Sequence, residues 1–563
     1  MVQELLGIVC VFFLSVVCSI PLGKYISKVF LYEYTRLDIV FNRLDRWIIT
    51  LSGIDATRQM TWKDHVKSLL YINGVWFFLS MAVLMNMSHL PLNPDGNPSM
   101  SFDVAFNTSV SFITNTNLQH YSGETGLSYL GQLILMLWQF LSAASGITVC
   151  AVVFMAMKET KSEAFGNFYS IFIRSCTRIL FPLAIVTAIL LLFNGMPMSF
   201  EGKDSITTLQ GEQQYISRGP VAAFTAIKHL GTNGGGLYGV NSAHPLENPN
   251  YFTAIIQMIA QTIIPMGLVF ALGYMLKNKK FSRMIFGVMT AGFIILVTPT
   301  IISEMQGNPN ITAMGIQQTM GNMEGKEIRF GSGLSGYWSI ITTVISTGSV
   351  NAMHDSFMPL STMNQLLAMM VNGFYGGCGV GFLNFYIFII LAVFISGLMV
   401  GRTPEFLGKR VEAKEIKIAM LIALLHPFLI LIGTALATAL PDYTTASLSN
   451  PGFHGFSQIL YEFTSSSANN GSGLEGLGDN TPFWNIACGI VMVLARYLPI
   501  IGPIAIAGIL ANKKYIPESN GTLKTDTATF GLMIFAVIII ITALSFFPAL
   551  TLGPVEEYFS LIK

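Results

Sequence analysis

Apolar positions along this chain come in long unbroken runs rather than at the spacing of a half-buried helix or strand. Ten runs stand out, near 5–23, 65–88, 129–157, 168–194, 251–275, 284–303, 364–400, 416–440, 483–511 and 527–550. A bilayer's hydrocarbon layer takes about 20 residues of helix to cross. Lipid offers nothing to an unpaired backbone N–H or C=O, so such runs must be helices. The pattern therefore predicts an all-α polytopic membrane protein with ten transmembrane helices. The first run follows Glu4 rather than a basic residue and is trailed by Lys24 and Lys28, so it reads as a retained span and not a secretory signal. With its N-terminus outside, ten crossings return the C-terminus to the outside as well.

Between alternate spans lie four short semi-apolar stretches, too short to cross, each ending in Asn, Thr, Ser and Gly. Phe106–Ile113 runs into Thr114-Asn115-Thr116-Asn117, and Ala222–Ile227 into Gly231-Thr232-Asn233-Gly234-Gly235-Gly236. Tyr337–Thr343 leads to Ser346-Thr347-Gly348-Ser349, and Phe456–Tyr461 to Ser467-Ala468-Asn469-Asn470-Gly471-Ser472. Asn117, Gly234, Gly348 and Gly471 are separated by 117, 114 and 123 residues, a period that signals an internal repeat. Each unit is span, half-helix, polar elbow, span. The division this predicts is 1–62, a first helix and basic loop; pore repeats at 63–160, 161–281, 282–412 and 413–512; and 513–563, a tenth helix and C-terminus. Four such helix/pore-loop/helix units can surround one pore.

Irregular backbone at membrane depth is tolerated where it lines a watery path or is buried in protein, so the elbows are expected to line the pore. Gly and Asn accept the dihedrals a re-entrant turn needs, and such turns can present rings of carbonyl oxygens in place of an ion's water shell. Each half-helix would aim its negative C-terminal end at that site. None of the elbows contains Asp or Glu, which argues for a monovalent cation over calcium or magnesium.

Composition fits lipid as solvent: 52% of the 563 residues are hydrophobic and 11% charged, against roughly a quarter charged in soluble domains. Of the 31 Lys and Arg, 24 fall in loops or helix ends assigned inside, 6 outside, and Arg496 alone sits mid-span. The inside clusters include Arg36, Arg43, Arg46 and Arg58, then Lys277, Lys279, Lys280 and Arg283, then Arg402, Lys409, Arg410, Lys414 and Lys417. Topology and lipid headgroups account for such clusters; a partner subunit could also dock there. The six cysteines lie in or beside spans without metal-type spacing, and the chain carries no nucleic-acid signature. It lacks both the Gly-x-x-x-x-Gly-Lys-Ser/Thr and the Asp-Lys-Thr-Gly motifs, so any ATP-derived energy must come through a partner.

Three features add candidate gating chemistry. Gly373–Gly381 holds five glycines in nine residues, Gly376, Gly377 and Gly379 among them, and should unwind the seventh span below the elbows; close packing through small residues is the competing reading. Arg496, before Pro499 and Pro503, is a charge at membrane depth, which ordinarily faces a cavity or partner group. Gln119, just beyond the first elbow, is placed to shape the outer entrance. His354-Asp355-Ser356 could suggest a hydrolytic triad, but consecutive side chains diverge and no Gly-x-Ser-x-Gly elbow is present, so hydrogen bonds fixing the loop are the preferred reading.

These residues closely resemble the potassium-binding A subunit family of bacterial Kdp-type potassium-transporting ATPases. The resemblance spans essentially the whole chain. It rests on Thr114–Gln119, Gly231–Gly236, Asn241-Ser242-Ala243-His244-Pro245, Ala352-Met353-His354-Asp355-Ser356, Gly401-Arg402-Thr403-Pro404-Glu405 and Ser467–Ser472. It implies a potassium filter made of Asn115, Thr116 and Asn117; Thr232, Asn233 and Gly234; Ser346, Thr347 and Gly348; and Asn469, Asn470 and Gly471. It also implies a P-type ATPase B subunit, a C subunit and a small membrane subunit as partners in a bacterial plasma (inner) membrane. Potassium would pass from the filter through an internal tunnel to the B subunit, with no catalytic site on this chain. Thr347 stands where the family often carries Cys, and Ala468 where a further Asn can occur; backbone carbonyls and Gly471 are indifferent to both. A stand-alone Trk-like potassium channel or ion-coupled symporter would share the fourfold pore and is the alternative reading.

Overall fold

The computed structural model describes residues 2–401, 403–517 and 524–562; Arg402 of the basic cluster lies outside the described residues. Among the described residues, ten helices are long and apolar enough to cross a membrane, one for each predicted run. The four repeats are built alike. Spans Trp62–Leu84 and Tyr129–Lys158 flank half-helix Phe102–Ile113, and spans Phe168–Phe193 and Tyr251–Met275 flank Val221–Leu230. Span Lys279–Gln306 and the pair Pro359–Val371 and Val380–Val400 flank Gly331–Ile345, while Ala413–Ala439 and Pro482–Asn512 flank Phe453–Ala468.

The two spans outside the repeats, Val2–Phe30 and Ala528–Leu550, pack against the outside of this ring. Val2–Phe30 lies along Tyr251–Met275, where a Cβ on Gly23 would come within 2.5 Å of the Gly267 carbonyl oxygen. Hydrophobicity does not drive helix association in lipid, and small residues allow the close approach that does. Within the ring the third span is buried almost throughout its inner half, from Ser142 to Ala156, because it faces half-helices and neighbouring spans rather than lipid.

The seventh span is broken, as the glycine cluster predicts: helix stops at Val371 and resumes at Val380. Asn372, Tyr375, Gly376 and Gly379 carry positive φ of 43°, 59°, 62° and 85°. A Cβ on Gly376 would sit 2.1 Å from the Gly381 Cα, so the fold of the break itself requires glycine there. Two elements escape a reading of hydropathy. An amphipathic helix, Asp38–Ser52, occupies the first basic loop, and a short antiparallel hairpin pairs Asp204–Thr207 with Gln213–Ile216.

Candidate functional site

All four half-helices end in the same way. One residue at the helix end takes the left-handed conformation, the residue after the cap in Asn115 (φ 62°) and Thr232 (52°) and the cap itself in Ser346 (58°) and Asn469 (50°). The next N–H then reaches back to the carbonyl five residues earlier, Thr116 to Ser111, Asn233 to Lys228, Thr347 to Thr342 and Asn470 to Ser465, at 2.9 Å in every case. This is the Schellman stop, which satisfies carbonyls that the last helical turn orphans. One backbone device at four equivalent places is a structural repeat seen without reference to side chains. Positive φ recurs two residues on at Asn117, Gly348 and Gly471.

The elbows meet at one place. A Cβ on Gly234 would lie 2.9 Å from the Thr116 carbonyl oxygen and 3.0 Å from the Gly471 Cα. One on Gly348 would lie 2.1 Å from the Asn470 oxygen, and one on Gly471 2.2 Å from that of Thr116. Glycine is required here because backbones of different repeats approach to contact. The predicted residues Asn115–Asn117, Thr232–Gly234, Ser346–Gly348 and Asn469–Gly471 are thus brought together.

Side chains close the ring. Asn115 Nδ2 donates to the carbonyls of Gly231 and Thr232, both at 3.0 Å, and Asn117 Nδ2 to Asn233 Oδ1 at 3.1 Å. His229 Nδ1 donates to its own helix at Thr225, leaving Nε2 to accept from the Ser349 hydroxyl at 2.9 Å. Asn470 Nδ2 donates to the Thr342 carbonyl at 2.8 Å, and Asn469 Nδ2 returns to Thr116 Oγ1 at 2.9 Å. Gln119 exchanges two hydrogen bonds with the Gly236 backbone, 3.0 and 2.9 Å, tying the first elbow to the second.

The glycine-rich break braces this ring from the opposite side. Cys378 N–H donates to Thr232 Oγ1 at 2.9 Å, Asn372 Oδ1 accepts from Ser346 Oγ at 3.1 Å, and Asn384 Nδ2 donates to the Asn372 carbonyl at 3.0 Å. Gly377 lies beneath Thr232, and Gly379 crosses Gly146 of the third span so closely that a Cβ would reach its carbonyl oxygen at 2.2 Å. Arg496 is buried and lines a small cavity with Asn115, Ser346, Asn372, Asn384 and Asn469. Its guanidinium has no carboxylate partner among the described residues.

Charges lie behind the ring, in pairs. Lys228, in the second half-helix, is fully buried against Glu247 and also donates to Asn241 Oδ1 at 2.6 Å. Lys326 pairs with Glu304 at 3.0 Å, again fully buried. His120 has acceptors at both ring nitrogens, Asn485 Oδ1 at 2.7 Å and Glu462 Oε1 at 3.1 Å, so the ring is doubly protonated. Burial alone would lower its pKa; Asp479 and Glu462 outweigh that and hold it up at about 9. His354 and Asp355 make different contacts, Tyr461 for the first and His454 with Gln458 for the second, and these hydrogen bonds tie their loop to the fourth half-helix.

Sequence reasoning missed Asn372, Asn384 and Gly146, which support the elbows from beneath, and the Lys228–Glu247 pair. A lysine inside a largely apolar half-helix and two amides at membrane depth were the available signals.

Fold and site together define a polytopic pore-loop membrane protein, with four re-entrant segments converging on one uncharged ring. The family model described as "Potassium-transporting ATPase A subunit" matches residues 9–559, and the chain belongs to that family. Relatives named potassium-transporting ATPase potassium-binding subunit include those of Flavobacterium johnsoniae, 63% identical, and Flavobacterium psychrophilum, 64% identical, each over 99% of both chains. That of Geobacillus kaustophilus is 47% identical over 98% of both. Among solved structures, the potassium transporter TrkH from Vibrio parahaemolyticus superposes with a TM-score of 0.51 at 12% identity, covering 89% of this chain and 96% of its own, a likeness of fold.

Proposed function

We propose that this chain is the potassium-binding and translocating subunit of an ATP-driven uptake complex in the bacterial plasma membrane, with both termini outside. The observation carrying this reading is the closed ring of four Schellman-terminated half-helices whose elbows are uncharged and in backbone contact. Carbonyl oxygens of Asn115–Asn117, Thr232–Gly234, Ser346–Gly348 and Asn469–Gly471 replace the water shell of a potassium ion entering from outside past Gln119. The half-helix C-termini supply a favourable field without a carboxylate, so a divalent ion gains too little to shed its water.

Beneath the ring, the small cavity with Arg496 shares Asn372, Asn384 and Ala495 with a larger cleft lined by Ile387, Phe388, Ile422, His426 and Phe546. We assign this as the route along which the ion leaves sideways toward a P-type ATPase B subunit, with a C subunit and a small membrane subunit completing the complex. Arg496 opposes straight passage to the basic side and the glycine-rich break, at Gly376, Gly377 and Gly379, is the movable element. ATP is hydrolysed on the partner.

The test is potassium-dependent ATP hydrolysis by the complex purified through a tag on this chain, with sodium and rubidium as controls. Co-purified activity stimulated by potassium is expected. A chain that purifies alone and conducts potassium in liposomes without ATP would overturn the subunit reading in favour of a self-sufficient transporter.

A further inference from the structure

Three side chains with no part in the potassium path converge where the first repeat meets the fourth. His120 follows the first elbow, Glu462 belongs to the fourth half-helix, and Cys488 lies in the second turn of the ninth span. All three are buried, and one ligand atom from each lies within 4.8 Å of the other two. His120 Nε2 is 3.1 Å from Glu462 Oε1, and Cys488 Sγ is 3.6 Å from the same oxygen. Around a tetrahedral zinc ion, with about 2.1 Å to nitrogen and oxygen and about 2.3 Å to sulfur, a nitrogen and an oxygen stand roughly 3.4 Å apart and a sulfur and an oxygen roughly 3.6 Å. The three side chains already hold that spacing.

Their surroundings point the same way. Asn485 Nδ2 donates to Asp103 Oδ2 at 2.8 Å, which fixes the amide and turns its Oδ1 toward His120 Nδ1 at 2.7 Å. Nδ1 therefore carries a hydrogen, and Nε2 is the nitrogen that faces the carboxylate and the thiol. Metal-bound histidines are oriented in this manner, the far N–H given to an outer-shell acceptor. Asp479 Oδ2 lies 3.9 Å from Nε2, and its side chain is 27% exposed where those of His120 and Glu462 are 1%, so it stands between the cluster and water. An ion pair needs one carboxylate for one imidazolium; here two carboxylates and a thiol surround a single ring.

We propose that His120 Nε2, Glu462 Oε1 and Cys488 Sγ form a zinc site, its fourth position taken by a water that Asp479 holds. Nitrogen, carboxylate oxygen and thiolate together suit zinc, whereas calcium and magnesium take oxygen ligands. As the ion enters, one proton leaves Nε2 and one leaves the Cys488 thiol. A divalent cation thus replaces two protons, and the buried cluster gains no net charge. The ion ties the segment after the first elbow to the fourth half-helix and the ninth span, at the same repeat boundary that Asn469 Nδ2 crosses to reach Thr116 Oγ1.

The test uses the complex purified through a tag without histidine, stripped with a chelator, incubated with zinc sulfate or magnesium chloride, and dialysed before elemental analysis. The wild-type complex is expected to retain about one more zinc per chain than the Cys488→Ser complex, and no magnesium. Cobalt(II) in place of zinc should give a thiolate-to-cobalt charge-transfer band that Cys488→Ser lacks and Cys10→Ser keeps. Asn485→Ala leaves all three ligands in place but frees the imidazole to turn, and it should weaken zinc binding about 10- to 100-fold in competition with a chromogenic chelator. That variant decides the matter if Cys488→Ser fails to assemble. Equal zinc in the wild type and Cys488→Ser, magnesium retained in place of zinc, a cobalt band that survives Cys488→Ser, or wild-type zinc affinity in Asn485→Ala would each overturn the site.

Discussion

The ring of elbows and the layer just behind it use opposite physics. The ring has no ionised side chain; its shape comes from left-handed turns, glycines in van der Waals contact and amide hydrogen bonds between repeats. The layer behind is held by ion pairs with essentially no exposure: Lys228–Glu247, Lys326–Glu304 and His120 with Glu462. A fixed charge in the ring would dominate its field and erase discrimination among monovalent ions. The same charge one layer back, paired within a single repeat or between neighbours, orients a half-helix while its field is cancelled at short range. The shape of the ring and the anchoring of the elements around it thus rest on different chemistries.

The sharpest way to break this contrast is to add one methyl group to the ring. Gly348→Ala places a Cβ 2.1 Å from the Asn470 carbonyl oxygen, on a residue with φ of 79°. Overpacking of this kind costs about 1–3 kcal/mol, which read through ion binding is up to roughly a hundredfold. The potassium concentration giving half-maximal ATPase stimulation should rise by about tenfold to a hundredfold in the purified complex. Gly287→Ala, where nothing lies within 4 Å, should leave it unchanged. Equal behaviour of the two variants would refute the ring as the binding site. Gly234→Asp carries the second elbow's version of the test: its side chain meets the carbonyls of Thr116 and Asn117, and discrimination of potassium from sodium should fall.

Damage to the layer behind should appear in stability before selectivity. Lys228→Met leaves Glu247 buried without its cation, and breaking a buried pair from one side costs about 3–5 kcal/mol. Adding Glu247→Gln should recover most of that, since replacing both partners of a buried pair is often near neutral. Thermal unfolding of the detergent-solubilised chain reads both. A single variant as stable as the wild type would show that Lys228 is not held as a paired charge.

The contrast was unequally legible in the sequence. The ten spans follow from run length, because lipid leaves the backbone no choice. The elbows follow from Asn and Gly recurring after Phe112-Ile113, Leu230, Ile345 and Ala468 at one period. The break at Asn372–Gly379 was legible because its glycines are consecutive enough to defeat a helix. The ion-pair layer was not: Glu247 and Lys228 are 19 residues apart across an elbow, and Glu462 meets His120 from another repeat, so only the fold pairs them. The helix Asp38–Ser52 was hidden for the reverse reason, its acidic residues facing inward and its apolar residues outward.

Arg496 sharpens the comparison, as a buried charge with no carboxylate partner among the described residues that lines the cavity with Asn115, Ser346 and Asn469. At an effective dielectric near 20, two unit charges about 8 Å apart interact by roughly 2 kcal/mol, which is about thirtyfold in rate. Arg496→Gln should therefore raise potassium flux through the complex in liposomes without ATP by at least about tenfold, with protein levels intact. Unchanged passive flux would remove Arg496 from the path.

The smallest effect should come from the outermost pair. His454, at the start of the fourth half-helix, lies 3.0 Å from Asp355 and 2.9 Å from Glu557 of the C-terminal helix. Burial alone would lower its pKa, but the two carboxylates reverse that and hold it up at about 10. A folded pKa above the unfolded value of about 6.5 means that the imidazolium's contribution is complete below about pH 6.5. It declines above that and is gone once pH passes about 10. Each charge-assisted hydrogen bond of this kind contributes about 1.5 kcal/mol or somewhat more, and partial exposure reduces the figure here. The wild-type melting temperature should therefore fall between pH 7 and pH 10 by more than that of His454→Gln, while half-maximal potassium stimulation at pH 7 stays the same in both. A loss of potassium affinity in His454→Gln would mean that the outer charges reach the ring after all, and the division between a neutral ring and a charged support would fail at its edge.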